Sequence, residues 1–290
     1  MSLISEQYSH LRPYPPRYPT YPPYSDVSQY LEHYFYNYYL NNIDSFSSCE
    51  RQYIPVYWTT VYNDRVNLPE VYNTLLALDK RGKYFTVNQH DNGIQFPLPE
   101  DTLVFSASEV GAGKIVPIPL ITSPLLGLPE VLPEKDILCS FVGTLTHPIR
   151  HQLYKELKYE NNFYFTEPRP WSANITKEHL EEFKNVTYRS KFGLAPRGNI
   201  IQSFRVYEII QLNCVPVIVS DAFYPPFCHL IDWSSFSLFV KPEDIPQLPA
   251  ILEGVSDDVY YSMLRKGKEV YSEYFTLQGM SSTIRAMLCD

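Results

Sequence analysis

The chain has 290 residues, 44% of them hydrophobic and 19% charged, with a formal net charge of −8. These figures describe a globular protein with room for two domains, and they exclude a general nucleic-acid binder, which carries a basic surplus. No stretch approaches the roughly 18 consecutive apolar residues of a bilayer-spanning helix, so no membrane span is expected.

Cys49, Cys139, Cys214, Cys228 and Cys289 are scattered, odd in number and never in a C-x-x-C pair. That usage predicts free thiols in a reducing compartment, hence a soluble, cytoplasmic protein. Tyrosine and proline, at 25 each, are in excess. Tyrosine joins an apolar ring to a hydroxyl, which suits sugar-facing surfaces and wet domain interfaces alike.

In chain order, RPYPPRYPTYPPY (12–24) reads as an extended arm lying on the body of the protein. It leads into a helix in which Leu31, Tyr34, Phe35 and Tyr38 share a face, with Asp26 or Ser28 as cap. YIPVYWT (53–59) reads as a strand, Leu68 to Leu78 as a helix, and 84–89, 103–107 and 114–120 as strands. The proline-rich stretch 117–136 reads as a linker. Alternation resumes with a strand at 137–143, a helix at 148–157, a strand at 162–167 and a helix near 176–185. Strands at 191–195, 215–219 and 236–240 follow, then helical segments at 243–253, 256–272 and 276–290.

Strands alternating with helices predict parallel sheets covered on both faces. The expected fold is α/β, with two Rossmann-like domains facing across a cleft. Their expected bounds are 1–125 and 126–275, with 276–290 returning to the first.

SKFGLAPRGNIIQSFRVYE (190–208) carries the most chemistry. The loop after a parallel strand is where open α/β sheets bind ligands. Here it holds Arg197 and Gly198, and Ser203 stands at the start of the next helix, whose free N–H groups favour an anion. Arg205 can add charge-assisted bonds to phosphate oxygens. Glu208, one turn on, can accept ribose hydroxyls; the plainer reading of Arg205 and Glu208 is an i, i+3 ion pair. Gly143, Thr144 and Arg150 in FVGTLTHPIR (141–150) form a second strand–turn–helix unit, and Asp221 ends a neighbouring strand.

SFVGTLTHPIR, SKFGLAPRG, SFRVYEIIQLNCVPVIVSD, PPF and IDWSSFSLFV, in that order, resemble the exostosin-like glycosyltransferases. The resemblance is clearest over roughly 137–255 and extends upstream through YIPVYWT and YFTVNQHDNGI. Among members it is most similar to short soluble ones, such as those of large algal viruses. The resemblance implies an inverting enzyme of GT-B fold that uses a UDP-sugar donor and a glycan acceptor. It puts the donor in the second domain, with Arg205 on the diphosphate and Glu208 on the ribose. Asn213 departs from the family's usual Gly, but Asn also adopts the left-handed conformation.

Inversion needs a general base and positive charge on the departing diphosphate. The arginines and the helix N-terminus can supply the charge, and no Asp-x-Asp motif occurs, so no metal or other cofactor is expected. Asp91 in the His-Asp-Asn-Gly segment, which resembles a family motif, is the first candidate base. Glu109 is the second, and His90 acts or orients; the plainer reading of Asp-Asn-Gly is a turn. Tyr57 and Trp58 are candidate acceptor platforms, with core packing as the alternative for each. The viral relatives suggest xylose as the sugar. A catalytically inactive nucleotide-sugar-binding partner subunit is the competing reading.

Overall fold

The computed structural model describes residues 3–13, 30–122, 133–172 and 175–289. The Pro/Tyr arm beyond Pro13, the caps at Asp26 and Ser28, and half of the expected linker lie outside the described residues. The chain divides into two compact units: one takes residues up to Ile121 and again from Tyr274 onward, and the other runs Thr122–Glu273.

In the first unit, β1 (Gln52–Tyr53), β2 (Tyr84–Asn88), β3 (Thr102–Ser106) and β4 (Lys114–Pro117) form a parallel sheet in that order. Its helices are α1 (Leu31–Asn41), α2 (Trp58–Asp64), α3 (Leu68–Leu76) and the last helix of the chain, Leu277–Cys289. All five residues of β2 are buried, because side chains alternate between two covered faces. One face meets Ile54, Val56, Trp58 and Val104. On the other, Phe85 meets an aromatic cluster, its ring centroid 5.0 Å from Tyr53 and 6.2 Å from Phe35. Tyr53, and Tyr39 with its ring 4.9 Å from that of Tyr53, are thus packing residues.

YIPVYWT is not a strand beyond Tyr53. Pro55 has no N–H to continue the ladder, and the Val56 N–H turns back to the Ile54 carbonyl at 3.1 Å. The apolar residues that follow belong to α2, buried at Trp58, Thr59, Thr60 and Val61.

The second unit holds β5 (Ile137–Phe141), β6 (Phe163–Phe165), β7 (Ser190–Pro196), β8 (Val215–Val219) and β9 (Leu238–Val240). All are parallel, in the order β6-β5-β7-β8-β9. Its helices are α4 (Pro148–Leu157), α5 (Lys177–Arg189), α6 (Phe204–Gln211), α7 (Leu248–Glu253) and α8 (Asp257–Tyr274). The last helix is then α9. β8 is apolar and wholly buried, as a central parallel strand must be. Asn213, between α6 and β8, stands at φ 52°, the left-handed conformation expected of it. The α/β class with parallel sheets is thus what the alternation predicts.

Cys49 and Cys289 form a disulfide, while Cys139 and Cys214 are buried free thiols and Cys228 is an exposed one. This corrects the expectation of five free thiols and removes that argument for a reducing compartment. The pair is separated by 240 residues, so no spacing pattern announces it. Its ends meet because α1 packs on α9, where the Tyr34 hydroxyl donates to Gln278 at 3.0 Å and Tyr38 to Ser282 at 3.3 Å. Among the described residues no helix is long and apolar enough to cross a membrane.

Candidate functional site

The strand order of the second unit reverses direction between β5 and β7. At such a point the two strand-to-helix loops diverge and open a crevice outside the carboxyl ends of the strands. The loops here are 142–147, with Gly143 and Thr144, and 197–203, with Arg197, Gly198 and Ser203. Asp221 follows neighbouring β8, so the candidates on the donor side share one end of one sheet.

Arg150, in the first turn of α4, is a brace between the two loops. Its Nε donates to the Arg197 carbonyl at 3.0 Å, Nη1 to Thr144 at 3.0 Å and Nη2 to Pro196 at 3.2 Å. Three backbone carbonyls thus take up three of the guanidinium's five N–H donors. Gly198 has a matching reason, since a Cβ there would stand 3.3 Å from Arg150 Nη2. Ser203 is the N-cap of α6, its hydroxyl accepting the Arg205 N–H at 3.4 Å, the ordinary use of serine at that position.

Arg205 and Glu208 form an ion pair of 2.9 Å with side chains only 23% and 12% exposed. The pair is set into the protein, and the guanidinium carbon lies 3.9 Å above the Phe183 ring of α5. A guanidinium carries five N–H donors in a fixed plane, and the ring beneath sets that plane. Arg197 pairs with Asp221 at 2.5 Å. This hydrogen bond holds the Asp221 carboxyl below the usual carboxylate range.

His147, which sequence reasoning passed over, caps α4 by accepting the Ile149 N–H on Nδ1 at 3.3 Å. Burial, then Arg197 and Arg150, push its pKa down against the opposing pull of Asp221. Beside Ser203, a small cavity of about 20 Å³ is bordered by Gln202, Tyr207, Tyr224 and Trp233.

In the first unit, the chain leaving β2 turns tightly at His90–Gly93, closed by the Gly93 N–H on the His90 carbonyl at 2.9 Å. Gly93 has φ 63°, and a Cβ there would fall 1.8 Å from the Val110 carbonyl oxygen, so only glycine fits. Buried Asn88 bonds both backbone groups of His90. Buried Glu32 accepts the Gln89 N–H at 3.0 Å and the Thr59 hydroxyl at 2.8 Å. Neither was legible as a site residue, although Asn88 is the polar end of an otherwise apolar strand.

Asp91 is exposed at this turn. The surrounding protein raises its pKa, His90 opposes the rise, and the Glu109 carboxylate adds to it. The Glu109 loop is tied to the turn by the Ser108 hydroxyl, which donates to the Asp91 carbonyl at 2.6 Å. His90 accepts the Asn92 N–H on Nδ1 at 3.3 Å, and its ring lies 4.8 Å from Tyr62. Burial lowers its pKa, with Asp91 opposing. The neutral ring therefore carries its proton on Nε2 and offers a donor rather than a base.

Trp58 is not an acceptor platform. It is fully buried, and its indole N–H donates to Thr86 at 2.9 Å. Tyr57 is half-buried with its ring 3.9 Å from that of His33, and burial lifts its phenol to about 12. Among the described residues no group of three or more His, Cys, Asp or Glu side chains is placed to hold a metal ion.

An open parallel sheet whose strand order reverses beside arginines, a helix start and a glycine defines a protein of the α/β class, with a crevice at its switch point. Residues 75–255 match the Exostosin GT47 domain, and this chain belongs to that family. A probable glycosyltransferase of Arabidopsis thaliana is 32% identical over 135 residues, 46% of this chain and 24% of that protein. An exostosin-1 homolog of Caenorhabditis elegans is 33% identical over 93 residues, 32% of this chain and 24% of that protein. A probable glucuronosyltransferase of Oryza sativa is 36% identical over 93 residues, 32% of this chain and 22% of that protein. The chain thus aligns with about a quarter of the length of these relatives. A crystal structure of TarM superimposes at a TM-score of 0.42 and 10% identity, over 77% of this chain and 53% of that one.

Proposed function

We propose that this chain is a glycosyltransferase that moves a sugar from a UDP-sugar to a glycan hydroxyl, with inversion and without a metal. The observation that carries the reading is the family match over 75–255. That range includes the whole reversal point, from Gly143 to Asp221, and the turn of Asp91. The names of the Arabidopsis and rice relatives support the same class of reaction.

In this reading the diphosphate lies near the start of α6, with the Arg205 guanidinium against it and Arg197 adding charge. A phosphate that takes donors of Arg205 leaves Glu208 beside it for the ribose hydroxyls. Asp91 removes the proton of the acceptor hydroxyl as its oxygen bonds to the anomeric carbon. The bond from that carbon to the diphosphate breaks, and UDP leaves with the electron pair, steadied by the arginines. His90 holds the acceptor through Nε2–H. Xylose is the first sugar to test, and glucuronic acid, named in the rice relative, is the second.

A thermal-shift panel of UDP- and GDP-sugars, with and without EDTA, tests the proposal, because a ligand that binds the native state alone raises its stability. A rise with UDP-sugars that EDTA leaves unchanged is expected, followed by slow release of UDP without acceptor. UDP binding with no turnover on any donor would replace this reading with that of an inactive partner subunit.

A further inference from the structure

Beside the His90–Gly93 turn the first unit carries an open cavity of about 690 Å³, bordered by Tyr62, Arg65, Tyr72, His90, Gln95 and Phe96 among others. That volume suits a small-molecule site, roughly 300–1,000 Å³. Its wall is aromatic: the Phe96 ring lies 5.6 Å from Tyr62 and 6.5 Å from Tyr72, which is itself 45% exposed. Ring faces left open to water are surfaces on which the C–H face of a sugar stacks, and the Tyr62 hydroxyl accepts the Gln95 N–H at 2.6 Å. Asn73, Asn92 and Gln95 add amide donors and acceptors at the border.

Arg65 decides the kind of sugar. It follows α2 with φ 52°, in the left-handed conformation, and its side chain is exposed. In a chain of net charge −8, this guanidinium makes no hydrogen bond or ion pair with the described residues. Its donors match a carboxylate or a sulfate ester, each of which can accept two parallel N–H bonds.

The geometry points to a saccharide-binding site that takes a sugar bearing an anionic group, its ring against Tyr72 and Phe96 and its anion on Arg65. His90 and Asn92 flank Asp91 in the chain and both border the cavity, so a sugar held there reaches the turn of the proposed base. To that extent, the saccharide's role as acceptor rests on the proposed function; its binding does not.

Ligand-observed NMR titrations of the full chain without donor test the site, using methyl β-D-glucuronide, methyl β-D-glucoside 6-sulfate and methyl β-D-glucoside. At least one anionic sugar should bind about tenfold tighter than the neutral one, the value of one charge-assisted contact. Whichever anion does so identifies the group. Arg65→Asn, which tolerates the left-handed backbone, should abolish the preference and leave glucoside affinity within about twofold, since the stacking wall is untouched. Arg65→Lys should keep part of it, and Tyr72→Ala should weaken all three sugars about fivefold. Equal binding of charged and neutral sugars, or a preference that survives Arg65→Asn, overturns the proposal. UDP binding is read separately: a chain that binds UDP without the anion preference overturns this site alone. One that shows the preference without binding UDP keeps the site and overturns the transferase reading.

Discussion

Asn88, buried at the end of β2, holds His90 by both sides of its backbone: its amide nitrogen donates to the His90 carbonyl at 3.1 Å, and its oxygen accepts the His90 N–H at 3.3 Å. The same nitrogen also donates to the Ser106 hydroxyl at 3.0 Å, joining β2 to β3. Asn88→Ala leaves these groups without partners, which costs about 1–3 kcal/mol. Turnover should fall more than donor affinity, because the loss is felt at the turn of Asp91. Chemical denaturation and steady-state kinetics of the variant check both.

Asp91→Asn should lower transfer by at least about 100-fold, the usual span for a lost general base, while UDP-sugar binding by calorimetry stays unchanged. The raised pKa of Asp91 fixes the sign of the pH profile. The wild-type rate falls as pH drops through a value above the ordinary 3.8, because protonation removes the base. Full activity in Asp91→Asn together with loss in Glu109→Gln would move the role to Glu109.

Arg205 is held by a ring as well as by a carboxylate, so lysine is a poor substitute: it keeps the charge and loses the plane. Arg205→Lys should weaken UDP-sugar binding about tenfold, the equivalent of one charge-assisted bond. Phe183→Leu should weaken it less, since it removes the stack and keeps the fork. Calorimetric titration with UDP-sugar separates the two.

The cysteines should divide by reactivity. Cys228 is exposed and should alkylate in the native protein. Cys139 and Cys214 are buried, and burial raises both thiols, Cys214 to about 12, so they should react only on unfolding. Cys49 and Cys289 should label only after reduction. Mass spectrometry of iodoacetamide-treated protein, before and after dithiothreitol, reads the pattern. Native labelling of Cys49 would contradict the disulfide.

Glu32 and His33 lie side by side in the chain and are buried, with Glu32 Oε2 and His33 Nδ1 lacking hydrogen-bond partners among the described residues. Burial raises the Glu32 pKa and lowers that of His33 from 6.5 to about 4. The signs oppose. The folded state holds the Glu32 proton more tightly than the unfolded, so that contribution to stability is present below 4.5 and is lost as pH rises through the raised value. For His33 the unfolded state takes the proton first, so stability falls from pH 6.5 towards 4, by about 3 kcal/mol at most. Urea denaturation across pH should show Glu32→Gln removing the alkaline loss and His33→Gln removing the acid one.

How far the sequence discloses this arrangement depends on which interactions are local. Runs such as VPVIV (215–219) announce strands because a sheet covered on both faces needs unbroken apolar residues. YIPVYWT misleads for the same reason: a short apolar run does not distinguish a strand from the buried start of a helix, and Pro55 decides the matter. Arg197, Arg205 and Glu208 are legible from residue type and distance from a strand end. Their surroundings are not. Phe183 reaches Arg205 from another helix, Arg150 turns out to grip carbonyls, and Glu32 meets Gln89 across 57 residues. Such partners are set by packing between elements, which periodicity along one segment does not encode.

The Cys49–Cys289 link has a consequence for the order in which the protein is made. All of Thr122–Glu273 is synthesised between the two parts of the first unit. The second unit therefore has its whole sequence available while the first still waits for α9 and its covalent tie. A chain interrupted after Glu273 would carry a complete β5–β9 sheet and an α1 stripped of its neighbour α9, with Cys49 left as a free thiol. The covalent tie of the first unit thus waits on a cysteine 240 residues further along the chain, with the whole of the second unit between the two.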